Sequence, residues 1–156
     1  MSSGNLRIGL ISDTHGLLRP EALAFLAGSD LIVHAGDIGG PGILTALEAL
    51  APLQVVRGNN DHGAWAVPIP ETLLFDAGGV GLYALHDLAA IDADVMTCAV
   101  RVVISGHSHV PKIMEREGVL YVNPGSAGPR RFTLPISVGE LLIHEGRVSA
   151  RTVVLG

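Results

Sequence analysis

The chain has 156 residues, 48% of them hydrophobic, a formal net charge of -5 and a single cysteine. That length suits one domain, expected over residues 1–156, with a sizeable core, and one cysteine excludes an intrachain disulfide. The acidic balance and the lack of any Lys/Arg run argue against an extended nucleic-acid footprint, and no apolar run reaches the roughly 18 residues of a membrane span.

The start, MSSGNLRIGL, lacks the basic and apolar segments of a signal peptide, so a cytoplasmic location without membrane attachment is expected. In chain order, β-branched runs alternate with helix-period segments: Leu6 to Ser12, Pro20 to Ala27, Leu31 to Ala35, Ile43 to Leu50 and Gln54 to Arg57. This is a βαβαβ pattern, and Pro20, Pro41, Gly28 and Pro52 supply its helix punctuation. Strands at Thr72 to Asp76 and Val80 to Leu85 are split by Gly78 and Gly79, which predicts a hairpin. A short helix is expected near Ile91 to Ala99, with Cys98 buried on it, followed by a strand at Arg101 to Ser105. Hairpins at Lys112 to Val122 and Ile136 to Leu155 make the C-terminal part largely antiparallel. Two sheets packed face to face with helices outside accommodate both halves.

Ligand-type side chains fall at the strand ends of this map. Asp13 and His15 follow the first strand, Asp37 the second and Asn59 the third, while His86 follows GLYAL and His107 and His109 follow RVVIS. An isolated His-x-His is more often a polar turn than a metal site. Here, however, all five positions lie at C-terminal strand ends, where α/β folds build their sites. Two carboxylates, one amide oxygen and four imidazoles are too many donors for one tetrahedral zinc. They suit two divalent transition metals sharing a carboxylate. Such a pair polarises a phosphoryl group and acidifies a bridging water to hydroxide, so no side-chain nucleophile is needed.

The segments SDTHG, HAGDIGG, RGNND, LHD, SGHSH and VNPGSAGPR resemble the successive motifs of the calcineurin-like metallophosphoesterases, and the match is best to the small prokaryotic phosphodiesterase branch. The resemblance implies an α/β fold, the four-layer αββα sandwich of two mixed β-sheets flanked by helices. It implies a metal-dependent phosphodiesterase or phosphatase acting on a small phosphate ester. By the same resemblance Asp13, His15 and His109 would hold one ion, Asn59, His86 and His107 the second, and Asp37 would bridge them. His86 and Asp37 would serve catalysis through a metal-bound hydroxide. Manganese is the first expectation, with iron, cobalt, nickel or zinc able to accept the same donors. A homo-oligomer stays open.

Three departures from the family pattern carry consequences. Asn60 stands where many members have a histidine that protonates the leaving oxygen, so Asn60 is expected to bind substrate by hydrogen bonding rather than as an acid. Asp87 follows His86 where glycine is usual, either orienting His86 or facing solvent. The segment from His86 to His107 is too short for a cap, so an open site is expected. Arg130, in GPRR, would attract phosphate, and Arg131 is expected to face solvent. His34 reads as a hydrogen-bonded core histidine, while His62 and His144 read as solvated; Asn123, Gly125 and Ser126 read as turn architecture near the site. The chain has no P-loop, G-x-G-x-x-G or G-x-S-x-G motif. The alternative reading is a protein-binding scaffold of the same fold, as in the retromer's metallophosphoesterase-like subunit.

Overall fold

In a computed structural model, which describes residues 5–155, ten strands form two five-stranded sheets. The first sheet has the order β10-β9-β1-β2-β3, with β1 Leu6–Ile11, β2 Leu31–His34, β3 Leu53–Val55, β9 Ser137–His144 and β10 Arg147–Val154. Strands β1, β2 and β3 run parallel, and β9 and β10 join antiparallel. The second sheet has the order β4-β5-β6-β8-β7, with β4 Thr72–Ala77, β5 Val80–Leu85, β6 Val100–Ile104, β7 Lys112–Arg116 and β8 Val119–Asn123. All three expected hairpins form. The C-terminal half is less antiparallel than expected, because β8 returns to lie parallel to β6, itself parallel to β5.

Ile8, Leu10 and Val33 of the first sheet meet Leu82, Val102 and Ile104 of the second in a fully buried interior. Area removed from water is worth roughly 1.5–3 kcal/mol for each such side chain, so this layer is the main stabilising contact between the sheets. Helices α1, Pro20–Leu26, and α2, Pro41–Glu48, cover the outer face of the first sheet, burying Leu26 and Leu47 against Ile11, Ile32 and Val138. Both begin on proline, whose missing N–H costs nothing in a first turn. The two mixed sheets pack as the expected α/β sandwich, with both α-helices on the side of the first sheet.

The layer over the second sheet departs from the expected helix at Ile91 to Ala99. It consists of two single 3₁₀ turns, Leu88–Ala90 and Val95–Thr97, which place Ile91, Val95 and Met96 over Tyr83, Leu85 and Val103. The reason is local. Asp87 Oδ1 accepts from Ala89 N, and Asp92 Oδ1 accepts from Asp94 N at 2.8 Å, two Asx-type bonds that offer the backbone an alternative to the helical ladder. Cys98 is exposed rather than buried, because no helix carries it inward.

An ionic staple runs across the first sheet. The buried Glu140 on β9 accepts from Arg7 Nε at 2.6 Å and Arg151 Nε at 2.5 Å. Arg7 also donates to Phe25 O and Ala27 O, tying the end of α1 to β1.

Candidate metal centre

Strand exits from both sheets meet in one seam, so the cluster is assembled across the sandwich rather than along one sheet edge. Past the end of β1 and β2 the two chains keep pairing: Asp13 N donates to Gly36 O, His15 N to Asp37 O and Gly16 N to Ile38 O, each at 2.9 Å. Asp13, His15, Asp37, His107 and His109 all have positive φ, between 47° and 71°. Left-handed backbone is uncommon outside glycine, although Asp and His tolerate it better than most residues. Five such residues in one cluster mark local strain held by the surrounding structure.

Three buried polar groups do that holding. His34 Nδ1 accepts from Gly36 N at 3.1 Å, while its Nε2 lies 3.0 Å from Thr14 Oγ1, which itself donates to Ile38 O at 2.7 Å. The Thr14 proton is thus committed, so His34 is the neutral Nε2–H tautomer; burial pushes its pKa down to about 3. The Asp61 carboxylate accepts from the backbone N–H groups of Ile38, Gly39 and Gly58, clamping the loop after β3 to the loop after β2. His86 Nδ1 donates to Ala35 O at 2.7 Å, which ties the second sheet to the first and turns Nε2 toward the cluster.

At the centre, Asp13 Oδ2 accepts from Ser12 Oγ and from His107 N, at 2.7 and 3.1 Å. Its other oxygen, Oδ1, is buried with no hydrogen-bond partner and faces His109 Nε2 at 3.3 Å, His86 Nε2 at 3.8 Å and His15 Nε2 at 3.9 Å. Asp37 Oδ2 lies 3.3 Å from His86 Nε2 and 3.6 Å from His15 Nε2. His15 Nε2 is likewise buried without a partner. Burial raises the Asp13 carboxyl above its ordinary value despite the Ser12 bond and nearby imidazoles. Burial opposes ionisation of Asp37 too, but the His86 ring beside it and the two hydrogen bonds from Asn60 outweigh it and hold that carboxyl below the usual range.

Orphaned oxygen and nitrogen lone pairs aimed at a common space are what a divalent transition cation satisfies. Asp13, His15 and His109 offer ligand atoms within 4.8 Å of one another, and so do Asp13, Asp37 and His86. The two groups have the Asp13 carboxylate in common, and the donor set of each fits a divalent cation.

A family model for the calcineurin-like phosphoesterase superfamily domain matches residues 6–146. The chain belongs to the calcineurin-like phosphoesterase superfamily. Among curated relatives of this phosphoesterase, a probable metallophosphoesterase of Methanothermobacter thermautotrophicus is 38% identical over 96% of this chain and 92% of its own. Two solved structures share the fold. An archaeal phosphodiesterase superposes with a TM-score of 0.80 at 22% identity, over 96% of this chain and all of the other. Vps29 of Entamoeba histolytica in complex with zinc does so with 0.72, also at 22% identity, over 97% of this chain and all of the other.

Within this phosphoesterase the remaining positions singled out from the sequence are distributed unevenly. His107 Nδ1 lies 3.3 Å from His86 Nε2, and its half-exposed ring points Nε2 toward Asp87 Oδ2 at 3.9 Å. Asn59 is exposed in the loop beside His86, lining a cavity with it. It is Asn60 that reaches the cluster, donating to both oxygens of Asp37. Asp87 neither orients His86 nor stands idle in solvent: it caps the first 3₁₀ turn and faces His107. Arg130 donates to Leu134 O and lines a cavity of about 160 Å³ with Arg19 and Glu21, which none of the ligand-type residues line. Arg131 is exposed as expected, yet its charge acts on His109, whose pKa burial lowers first and Arg131 lowers further. His62 and His144 are exposed. Asn123 donates to Gly106 O, and Ser126 Oγ to Asp13 O, so both brace the site loops. Sequence reasoning missed the clamp at Asp61 and the roles of Ser12 and Thr14. A polar run with no apolar partner, SDT after a buried strand and NND after another, was the available signal.

Proposed function

We propose that this chain hydrolyses phosphodiesters of small molecules with a dinuclear divalent metal centre held by Asp13, His15, Asp37, His86 and His109, completed by Asn59 and His107. The observation that carries this reading is Asp13 Oδ1, buried, unpartnered and facing three imidazole nitrogens contributed by both sheets. The family membership and the likeness to an archaeal phosphodiesterase support it. When bound, the ions would supply Lewis acidity toward phosphoryl oxygens and acidify a coordinated water.

The protein's own groups set the rest. The Ala35 carbonyl holds the Nδ1 side of the His86 ring, so Nε2 is the nitrogen presented to the cluster. Asn60 spends one amide hydrogen on Asp37 Oδ2 and, being exposed, keeps the other for a phosphate oxygen. Arg131 adds positive charge beside His109. No histidine at position 60 stands ready to protonate a departing oxygen, which favours esters of acidic alcohols such as phenols. The deciding experiment is to strip the protein with chelator, reload manganese, iron, cobalt, nickel or zinc singly, and assay phosphomonoesters, aryl phosphodiesters and cyclic nucleotides. Metal-dependent turnover of diesters above monoesters is expected, with manganese the first candidate. Equal, negligible rates with and without every ion would abandon the enzyme reading for the second one, a protein-binding scaffold, which the fold shared with Vps29 favours.

A further inference from the structure

The thin layer over the second sheet leaves part of that sheet uncovered. The two 3₁₀ turns shield β5 and β6, and Val119 and Tyr121 of β8 pack at the margin of that cluster, but β7 has no part in it; there Met114 pairs directly with Tyr121 across the strands. These two side chains line a cavity of about 380 Å³, flanked by Leu88 and Val110, which are 38% and 42% exposed. Its volume falls within the range of small-molecule sites, roughly 300–1,000 Å³. One end of it is closed by His107 and Asn123, and the same His107 ring touches His86 in the cluster.

We propose that this cavity receives one ester arm of the substrate, a planar aromatic group joined through oxygen to the phosphorus at the metal centre. The proposal rests on the phosphodiesterase reading above. His107 belongs both to the cavity wall and to the edge of the cluster, so an arm that leaves a phosphate there past His107 enters the space lined by Tyr121 and Met114. A ring and a polarisable thioether are good partners for a flat aromatic group. Lys112, directly opposite Asn123 in the β7–β8 ladder and exposed, gives the cavity a positive wall suited to an anionic ester. On the other side of Asp87 lies a smaller cavity of about 170 Å³ lined by Arg57, Asn59 and Glu71. Arg57, Asn59 and Glu71 there, against Leu88, Val110, Met114 and Tyr121 here, make the two sides of the centre chemically unequal, so a diester with one aromatic arm has a preferred orientation.

The test begins with the full chain free of metal. The protein has three methionines, so methyl labelling gives few signals to follow. Titration with diphenyl phosphate should shift the Met114 methyl resonance, and dimethyl phosphate should not; Met96, on the second 3₁₀ turn and outside the cavity lining, is the internal control. In the metal-loaded protein diphenyl phosphate should inhibit at least about tenfold more tightly than dimethyl phosphate, the discrimination expected from burying one aromatic ring. Val110→Asp and Met114→Ala should each shrink that ratio toward one. Diphenyl phosphate that binds without moving Met114, or an inhibition ratio unchanged in both variants, would overturn the inference while leaving the phosphodiesterase reading intact. Absence of turnover with every metal, alongside a shifted Met114 signal, would instead sink the catalytic reading and keep the aromatic site.

Discussion

Asn60 donates twice to Asp37, from its backbone N–H to Oδ1 at 2.9 Å and from its side-chain amide to Oδ2 at 3.0 Å. A residue that departs from the usual family pattern is thereby built into the support of a carboxylate proposed to touch both ions. Asn60→Ala keeps the backbone bond and removes the other. Outer contacts of this kind typically change metal affinity by roughly 10–100-fold, and the lower half of that range is expected here. Calorimetric titration of the stripped protein with manganese checks it, and an unaltered affinity would show that the amide bond has no bearing on the metal.

Asp37→Ala removes the carboxylate itself. Its Oδ2 faces His15 and His86, and among the described residues only Asp13 supplies a second carboxylate to the clusters. Elemental analysis should find fewer than two metals per chain, with turnover lost. Two retained ions would refute the bridging role. His144→Ala is the matched control: its exposed ring meets only Glu145, so kcat/KM should stay within a few-fold of the parent.

Gly106→Ala tests how tightly the seam is packed. A methyl group there would overlap Ser12 Oγ and come within 2.7 Å of Asp13 Oδ2. Overpacking of this kind costs about 1–3 kcal/mol. Urea unfolding of the metal-free protein should show that loss, together with weakened metal binding. A variant as stable as the parent would mean that the Ser12 to Asp13 contact yields freely.

Glu140 provides a pH prediction away from the metal centre. Burial would raise its carboxyl, but hydrogen bonds from Arg7 and Arg151 prevail and hold it below the ordinary 4.5. The unfolded chain therefore takes up the proton first as pH falls. The stabilisation is complete above about pH 4.5 and is lost as pH drops through the lower folded value. Glu140→Gln should cost about 1–3 kcal/mol at pH 7, discounted from the value of a fully buried pair because Arg151 is largely exposed. The gap between parent and variant should close below pH 4.5; a gap that stays constant down to pH 3 would contradict the ionic staple.

His34 should not titrate in the range where most histidines do. With its pKa near 3 and both ring nitrogens engaged, it stays neutral from pH 8 to 5. Nitrogen-15 shifts of the metal-free protein are expected to report one fixed tautomer, protonated at Nε2, across that range. A midpoint above pH 5 would require a cavity or water beside the ring that the packing around Thr14 denies.

The ligand-type residues were legible because strand ends are. Runs such as RVVIS stop at an apolar boundary, and the Asp or His that follows is thrown into the seam. What followed those ends was harder to read. Which of Asn59 and Asn60 turns inward depends on the three N–H bonds that Asp61 accepts, and that geometry has no sequence period. The missing helix after Asp87 was misread because the apolar residues Leu88, Ile91, Val95 and Met96 carry helical spacing, while Asp87 and Asp92 break the ladder by side-chain bonds. The parallel return of β8 beside β6 is a long-range choice that local alternation cannot express.

The seam between the sheets has a thermodynamic corollary for folding. Asp13, His15 and Asp37 arrive on one sheet, His86 and His109 on the other, and no hairpin or βαβ unit alone holds a complete donor set. An ion captured there binds the docked sandwich and only weakly any partly assembled chain. Ligand binding that favours one state stabilises it by RT ln(1 + [M]/Kd), about 2.7 kcal/mol at a hundredfold excess over Kd. Cation concentration would then govern how often the two sheets part, which would make the ion a clasp on the whole sandwich as well as the proposed reagent in its cleft.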